Sequence, residues 1–382
     1  MLGQTLRLSE TLWFIQGEMP KDASKAPDWC NVVIFLAEDR LYLIDSSGGA
    51  VMRGSIEQVL RDVGPVASAT LINTHCHLDH ICNNDLISKI HATTKHHYIL
   101  RGGTEPAMLD APRYFAKQFD RMDTVFDPFS SYQVNRMTYR IAGWLRDGLG
   151  VIVGREQVLT WLFNFQFRKF DPVRDSRHTM EALDDRPSQP LNLGGTTWNG
   201  WPLGRDDIFV LEARAHSNHD VLVYIPGQKV LCMGDVTFPL FPTWADSSRE
   251  RIVECLSKCL AMVRSGDVIL LADGHGDRCY RGNVEVEQLL ESILLDHQAY
   301  EAILNQIFET ADGLTPAEIY DAFRRFSDRP VVAKYLALEF PHTPASLQNV
   351  MVTTLQQLGY QARGKRRRMR FYRTAPNPPG RS

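Results

Sequence analysis

Apolar residues in the first part of the chain fall into short runs separated by polar or glycine-rich breaks, the pattern of a β-rich half-domain. Asn31–Leu36 and Arg40–Asp45 are two such runs, and the short Ala37-Glu38-Asp39 break between them predicts a hairpin. Ser46-Ser47-Gly48-Gly49 ends the pair, and Met52–Val63 has helical spacing. Ala67–Asn73 is a further apolar run that leads straight into Thr74-His75-Cys76-His77-Leu78-Asp79-His80. The strand pattern resumes at Ile208–Ala213. Val221–Pro226 and Lys229–Met233 then flank a Pro226-Gly227 turn, and Val268–Ala272 follows a helix ending near Gly266.

Two other regions have their own character. Residues 105–205 are rich in aromatics, among them Tyr114, Phe126, Trp144, Trp161, Phe163, Phe165 and Phe167, and are expected to form a mainly helical insertion. Within it the alternation Phe163, Phe165, Phe167 fits a strand with one apolar face. These aromatics suit a subsidiary core, a contact between copies of the chain, or a lid giving a site apolar walls. After His275 the pattern becomes helical. Val284–Phe308 is a long amphipathic stretch, and Thr315-Pro316-Ala317-Glu318 has the form of a capping box. Thr343-Pro344 starts a helix that runs to Gly359, and Tyr360–Arg373 reads as a hairpin, so a winged-helix-like module is expected. The division is therefore 1–104, 105–205, 206–282 and 283–373, followed by a Pro- and Gly-rich tail at 374–382 that is expected to be disordered.

Composition narrows the class. A net charge of −3 over 382 residues argues against a protein dedicated to nucleic acid. Seven cysteines, an odd number with no Cys-x-x-Cys pair, argue against a disulfide framework. With no signal-like amino terminus and no apolar stretch long enough to span a bilayer, a cytoplasmic protein without membrane contact is expected.

The chemistry concentrates in His75-Cys76-His77-Leu78-Asp79-His80, which places four potential ligands within six residues at a strand end. Imidazole and carboxylate donors suit zinc, iron or manganese, and one turn can present two ligand sets in different directions. Further donors end other strands: His216 after Ile208–Ala213, Asp235 after Lys229–Met233, and His275 after Val268–Ala272. Asp45 also ends a strand and suits support of a ligating histidine.

These motifs, in this order over roughly residues 10–100 and 205–280, resemble the metallo-β-lactamase superfamily. The resemblance implies an α+β fold, an αββα sandwich of two sheets flanked by helices. By it, His75, His77 and His216 bind one metal, Asp79, His80 and His275 bind a second, and Asp235 bridges them. Two divalent ions are implied, zinc first, with iron or manganese as alternatives. The implied activity is a metal-dependent hydrolase in which hydroxide held between the ions attacks an ester, lactone or thioester, and the aromatic-rich segment suggests that the substrate is a bulky or apolar small molecule. Asp79, Asp235 and His219 are its catalytic candidates. The full ligand set is similar to the hydroxyacylglutathione hydrolase and lactonase branches. Where relatives often have Gly-His-Thr-Pro-Gly, this chain has Ala215-His216-Ser217-Asn218-His219-Asp220. His219 could therefore replace His216 as ligand, touch substrate or hold Asp220; the family position favours His216 as the ligand. Cys76, between two ligands, is expected to point away from the metals.

Two rival activities remain. Aromatic walls would suit hydrolytic displacement at an activated aromatic carbon. The basic run Arg363–Arg373 would suit a nucleic-acid phosphodiesterase, although a solvated hairpin or a contact to an acidic partner is the favoured reading of it. Partners are thus a small-molecule substrate, with a second copy of the chain or nucleic acid as alternatives.

Overall fold

The computed structural model describes residues 1–18, 29–104, 113, 116, 148–167, 180–237, 247–276, 279–338, 344–364 and 369–373. All the aromatic positions between 105 and 147, residues 365–368 and the tail from 374 lie outside them.

The strand runs form two seven-stranded sheets. In the first, β1 (Thr5–Ser9), β2 (Leu12–Ile15), β3 (Val32–Ala37) and β4 (Arg40–Ile44) are antiparallel neighbours. β5 (Val66–Ile72), β6 (Ala92–Ile99) and β7 (Met180–Ala182) then add in parallel. The hairpin closes with Ala37 opposite Arg40, and Glu38 takes a φ of 55° to turn the chain. The second sheet holds β8 (Gln189–Leu193), β9 (Thr196–Leu203), β10 (Ile208–Glu212), β11 (Val221–Ile225) and β12 (Val230–Cys232), all antiparallel. β13 (Leu270–Ala272) lies parallel to β12, and β14 (Cys279–Arg281) closes the edge. A small hairpin, β15 (Gln361–Arg363) with β16 (Arg370–Tyr372), stands apart. The second sheet begins at Gln189, ahead of residue 206 where the sequence pattern put the start of that half. The polar-alternating β8 and β9 had blended into the insertion.

The helices are α1 (Gly49–Val63), the short α2 (Leu78–Ile81), α3 (Leu86–Lys89) and α4 (Arg101–Thr104), then α5 (Arg155–Phe167), α6 (Arg249–Arg264) and α7 (Asn283–Thr310), of which α1 and α3 cover the outer face of the first sheet and α6 and the first half of α7 that of the second. Three more follow, α8 (Pro316–Arg324), α9 (Pro330–Leu338) and α10 (Pro344–Gln357). Period-two alternation sorts each strand between two cores. On β3, Val33 and Phe35 join Phe14, Tyr42, Val210 and Val223 between the sheets. Val32 and Ile34 face outward onto Met52, Ile56 and Val59 of α1. Leu211, Leu222 and Leu231 likewise meet α6 and the first half of α7. Because both faces are covered, these strands read as near-continuous apolar runs. The order is helix, sheet, sheet, helix, the α+β sandwich that the family resemblance implies. The second half of α7 turns away and packs its Tyr300, Leu304 and Ile307 against α8 to α10 and Phe371 of β16.

One expectation fails. Phe163, Phe165 and Phe167 lie on a helix, α5, and not on a strand. The surrounding Glu156, Gln157, Leu159 and Leu162 favour helix, and three alternating aromatics without β-branched neighbours do not outweigh them. At about 100° per residue, alternate positions on a helix diverge, so this alternation does not define one face of α5. No helix among the described residues is long and apolar enough to cross a membrane.

Candidate metal centre

All the predicted donors arrive at one end of the sandwich because each follows the end of a strand in it. His75 to His80 follow β5, His216 follows β10, Asp235 follows β12 and His275 follows β13. Two donor groups result, His75, His77, His216 and Asp235, and Asp79, His80, Asp235 and His275. Within each, one donor atom per residue lies within 4.8 Å of the others, and Asp235 belongs to both.

In the first group His75 Nε2 lies 2.9 Å from His77 Nδ1, and His216 Nε2 lies 3.4 Å from that same His77 atom. His75 Nε2 and His216 Nε2 each stand 3.7 Å from Asp235 Oδ2. In the second group His275 Nε2 is 2.9 Å from Asp79 Oδ2 and 3.4 Å from Asp235 Oδ1. His80 Nε2 is 3.2 Å from Asp235 Oδ1, yet both atoms are buried without a hydrogen bond. Buried polar atoms without partners are costly, and imidazole nitrogens packed around a shared carboxylate are the donor set a divalent transition metal requires. The residues fit such ions.

A polar layer behind the donors fixes their direction. Asp45 Oδ2 accepts from His80 Nδ1 at 2.9 Å and from the Thr74 hydroxyl at 2.8 Å, while Oδ1 accepts from the Thr74 amide at 2.7 Å. Because a carboxylate only accepts, the His80 proton sits on Nδ1 and Nε2 is aimed at Asp235. The His80 carbonyl is gripped by the Ser46 amide, the Ser46 hydroxyl and Asn73 Nδ2. Cys30 also lies within reach of Asp45 and His80. Burial pushes its thiol pKa up, so Cys30 is a neutral neighbour of the pair.

Burial dominates the electrostatics. It drives the pKa of His75 and His77 well below the ordinary value, helped by neighbouring imidazoles, and lowers His216 to about 4. His80 and His275 go the other way: burial opposes their protonation but is outweighed by nearby carboxylates, Asp45, Asp235 and Asp79 around His80 and Asp235 and Asp79 around His275. Asp235 is held well below the carboxylate range because His275 and His80 outweigh its burial. Protons balance the carboxylates in the chain by itself, and a bound cation would displace them.

His219 belongs to neither group. Its Nε2 lies 2.6 Å from Cys76 Sγ and its Nδ1 2.8 Å from Asn218 Oδ1, and burial lowers its pKa to about 3. It does not hold Asp220, which instead takes the Ser217 amide and hydroxyl. Cys76 points away from the donors, as expected, and onto His219. No local pattern signals this pair, because 143 positions separate the two residues. None of the seven cysteines forms a disulfide.

The metallo-beta-lactamase superfamily model matches residues 27–275. No curated protein matches the sequence. Among solved structures, a metallo-beta-lactamase family protein of Thermus thermophilus superposes with a TM-score of 0.52 at 16% identity, covering 96% of this chain and 100% of the other. A beta-lactamase domain protein of Burkholderia ambifaria gives 0.55 at 16% identity, covering 98% and 96%. The inverting sec-alkylsulfatase Pisa1 of Pseudomonas sp. gives 0.52 at 13% identity; 94% of this chain matches and spans 50% of that one.

Proposed function

Since the chain belongs to the metallo-beta-lactamase superfamily, whose members are generally metal-dependent hydrolases, we propose that it hydrolyses an ester, lactone or thioester of a bulky or apolar small molecule at a two-metal site. The observation that carries this reading is the pair of donor groups sharing Asp235. His75, His77 and His216 would hold one divalent ion and Asp79, His80 and His275 the other, with Asp235 between them. Zinc suits this nitrogen and oxygen set best. Such ions lower the pKa of water to about 7 and polarise a carbonyl oxygen.

The chain's own residues supply orientation and proton handling. Asp235 offers one oxygen to each group and is held ionised by His275 and His80. Asp79 is the most open of the donors, with a side chain 24% exposed against 8% for Asp235, so substrate approaches on its side. His219, locked between Asn218 and Cys76, supports the ligand loop from behind, in place of the ligand role the sequence left open to it.

The test joins metal analysis to a substrate panel. Elemental analysis of metal-replete protein should give about two ions per chain, and chelation should abolish turnover. A panel of chromogenic esters, lactones and thioesters should show the activity, set beside a secondary alkyl sulfate, an activated aryl halide and labelled single-stranded RNA and DNA. One ion or none would end the two-metal reading. Turnover confined to the sulfate, the halide or the nucleic acids would replace the substrate class.

A further inference from the structure

We infer that Gln357, the last residue of α10, is a positioning residue for His216 and makes the C-terminal helices part of the candidate metal centre. This rests on the proposed metal-binding role of His216.

His216 lies in a loop between β10 and β11, and the segment leading into α6 holds that loop. The Ser247 hydroxyl donates to the His216 carbonyl, and the Ser248 amide donates to the Ala215 carbonyl at 2.8 Å. The same short segment begins α6, where the Ser248 hydroxyl accepts from the Arg251 amide at 3.3 Å. Its other side is gripped by one side chain. Gln357 Nε2 donates to the Ser247 carbonyl at 2.6 Å, and Gln357 Oε1 accepts from the Arg249 amide at 2.9 Å. This is a two-point amide clamp on backbone, 110 and 108 residues distant in sequence.

The clamp has a firm base. Met351 and Leu355 of α10 are buried in one core with Leu304 and Ile307 of α7. Arg249, whose amide the clamp takes, also pairs through its guanidinium with Glu301 of α7. Gln357 itself is exposed, so its side chain contributes hydrogen bonds and not core packing. The relay runs from α10 through the Ser247 backbone and hydroxyl to the His216 carbonyl. His216 Nε2 then meets His77 Nδ1 and Asp235 Oδ2 at 3.4 and 3.7 Å. A donor atom at the end of an imidazole magnifies any shift of its backbone, and groups behind metal ligands commonly change affinity by about 10–100-fold.

The experiment measures zinc retention against a chelator, the visible spectrum of the cobalt-loaded protein, and Tm, for wild type and four variants. Q357M keeps the side-chain length and removes both hydrogen bonds. Q357E keeps the acceptor for the Arg249 amide and loses the donor to Ser247. S247A cuts the relay one step nearer the ligand, and the double variant Q357M/S247A tests whether the two lie on one path. Q357M and S247A should each weaken retention of one of the two ions on the order of tenfold, the low end of that range. Q357E should fall between wild type and Q357M. The double variant should be no worse than the poorer single one, and the cobalt bands should shift while Tm stays close to wild type. Unchanged retention and spectrum in Q357M and S247A, with wild type holding two ions, would overturn the positioning role alone. Additive losses, or losses that only follow Tm, would also overturn it. A wild type that holds fewer than two ions would remove the metal reading itself.

Discussion

At the scale of single residues, the candidate centre depends on atoms that leave no room for substitution. A Cβ on Gly274 would lie 2.4 Å from Asp235 Oδ1 and 2.6 Å from the Gly234 backbone. Gly274→Ala must therefore displace the shared carboxylate or the turn bearing His275. Metal content should fall below one ion per chain, as read by elemental analysis, and a fully loaded G274A would refute that crowding. Asp45 acts at one remove. Asp45→Asn has no second oxygen acceptor for the His80 proton, and chelator competition should show retention weakened about 10–100-fold. Asp235→Ala should abolish turnover and leave the far-ultraviolet circular dichroism of wild type, because the apolar cores lie between and outside the sheets. Wild-type kcat in D235A would remove the shared carboxylate from the mechanism.

Secondary-structure elements differ in how openly they declare themselves. The capping box of α8 is complete: Thr315 Oγ1 accepts from the Glu318 amide at 3.3 Å, and Glu318 Oε2 accepts from the Thr315 amide at 2.8 Å. Thr315→Ala should cost about 1 kcal/mol in chemical denaturation and leave metal content untouched; loss of metal would mean that α8 reaches the site in some other way. The hairpin of β3 and β4 and the helix α1 were equally legible, because each buries a face of regular period. α5 was not. Its aromatics repeat every second residue, while the residues around them favour helix, and local preference prevailed. The edge strand β8 and its neighbour β9 read as part of the insertion because polar and small residues interrupt their apolar runs.

At the scale of the whole molecule, burial of neutral imidazoles makes stability depend on pH. Burial lowers the pKa of His97 to about 3, and burial with Arg249 and Lys334 lowers that of His297 to about 4. Unfolded histidine titrates near 6.5, so the unfolded chain takes up these protons first. Their contribution is complete above about pH 6.5 and is lost as pH falls towards 4 and 3, at up to about 1.4 kcal/mol per pH unit for each group. His297→Gln should make the fall in unfolding free energy between pH 6.5 and 4 shallower than in wild type, and parallel curves would show that His297 does not titrate on unfolding. Zinc should raise Tm and a chelator lower it, since a ligand bound only by the folded chain stabilises it by mass action.

Local sequence was enough to set the hairpin of β3 and β4, the helix α1, the strand runs that lead into the donors, and His75, His77, Asp79, His80, His216, Asp235 and His275 as candidate donors. Strand periodicity and dense ligand spacing are local properties, and a strand end is where a sheet presents such side chains. It took the packed fold to establish that these donors form two groups sharing Asp235, that Asp45 aims His80, that His219 faces Cys76, and that Gln357 grips the segment holding His216. Hydrogen bonds between residues more than a hundred positions apart form only after the strands and helices have packed, and spacing along the chain carries no record of them.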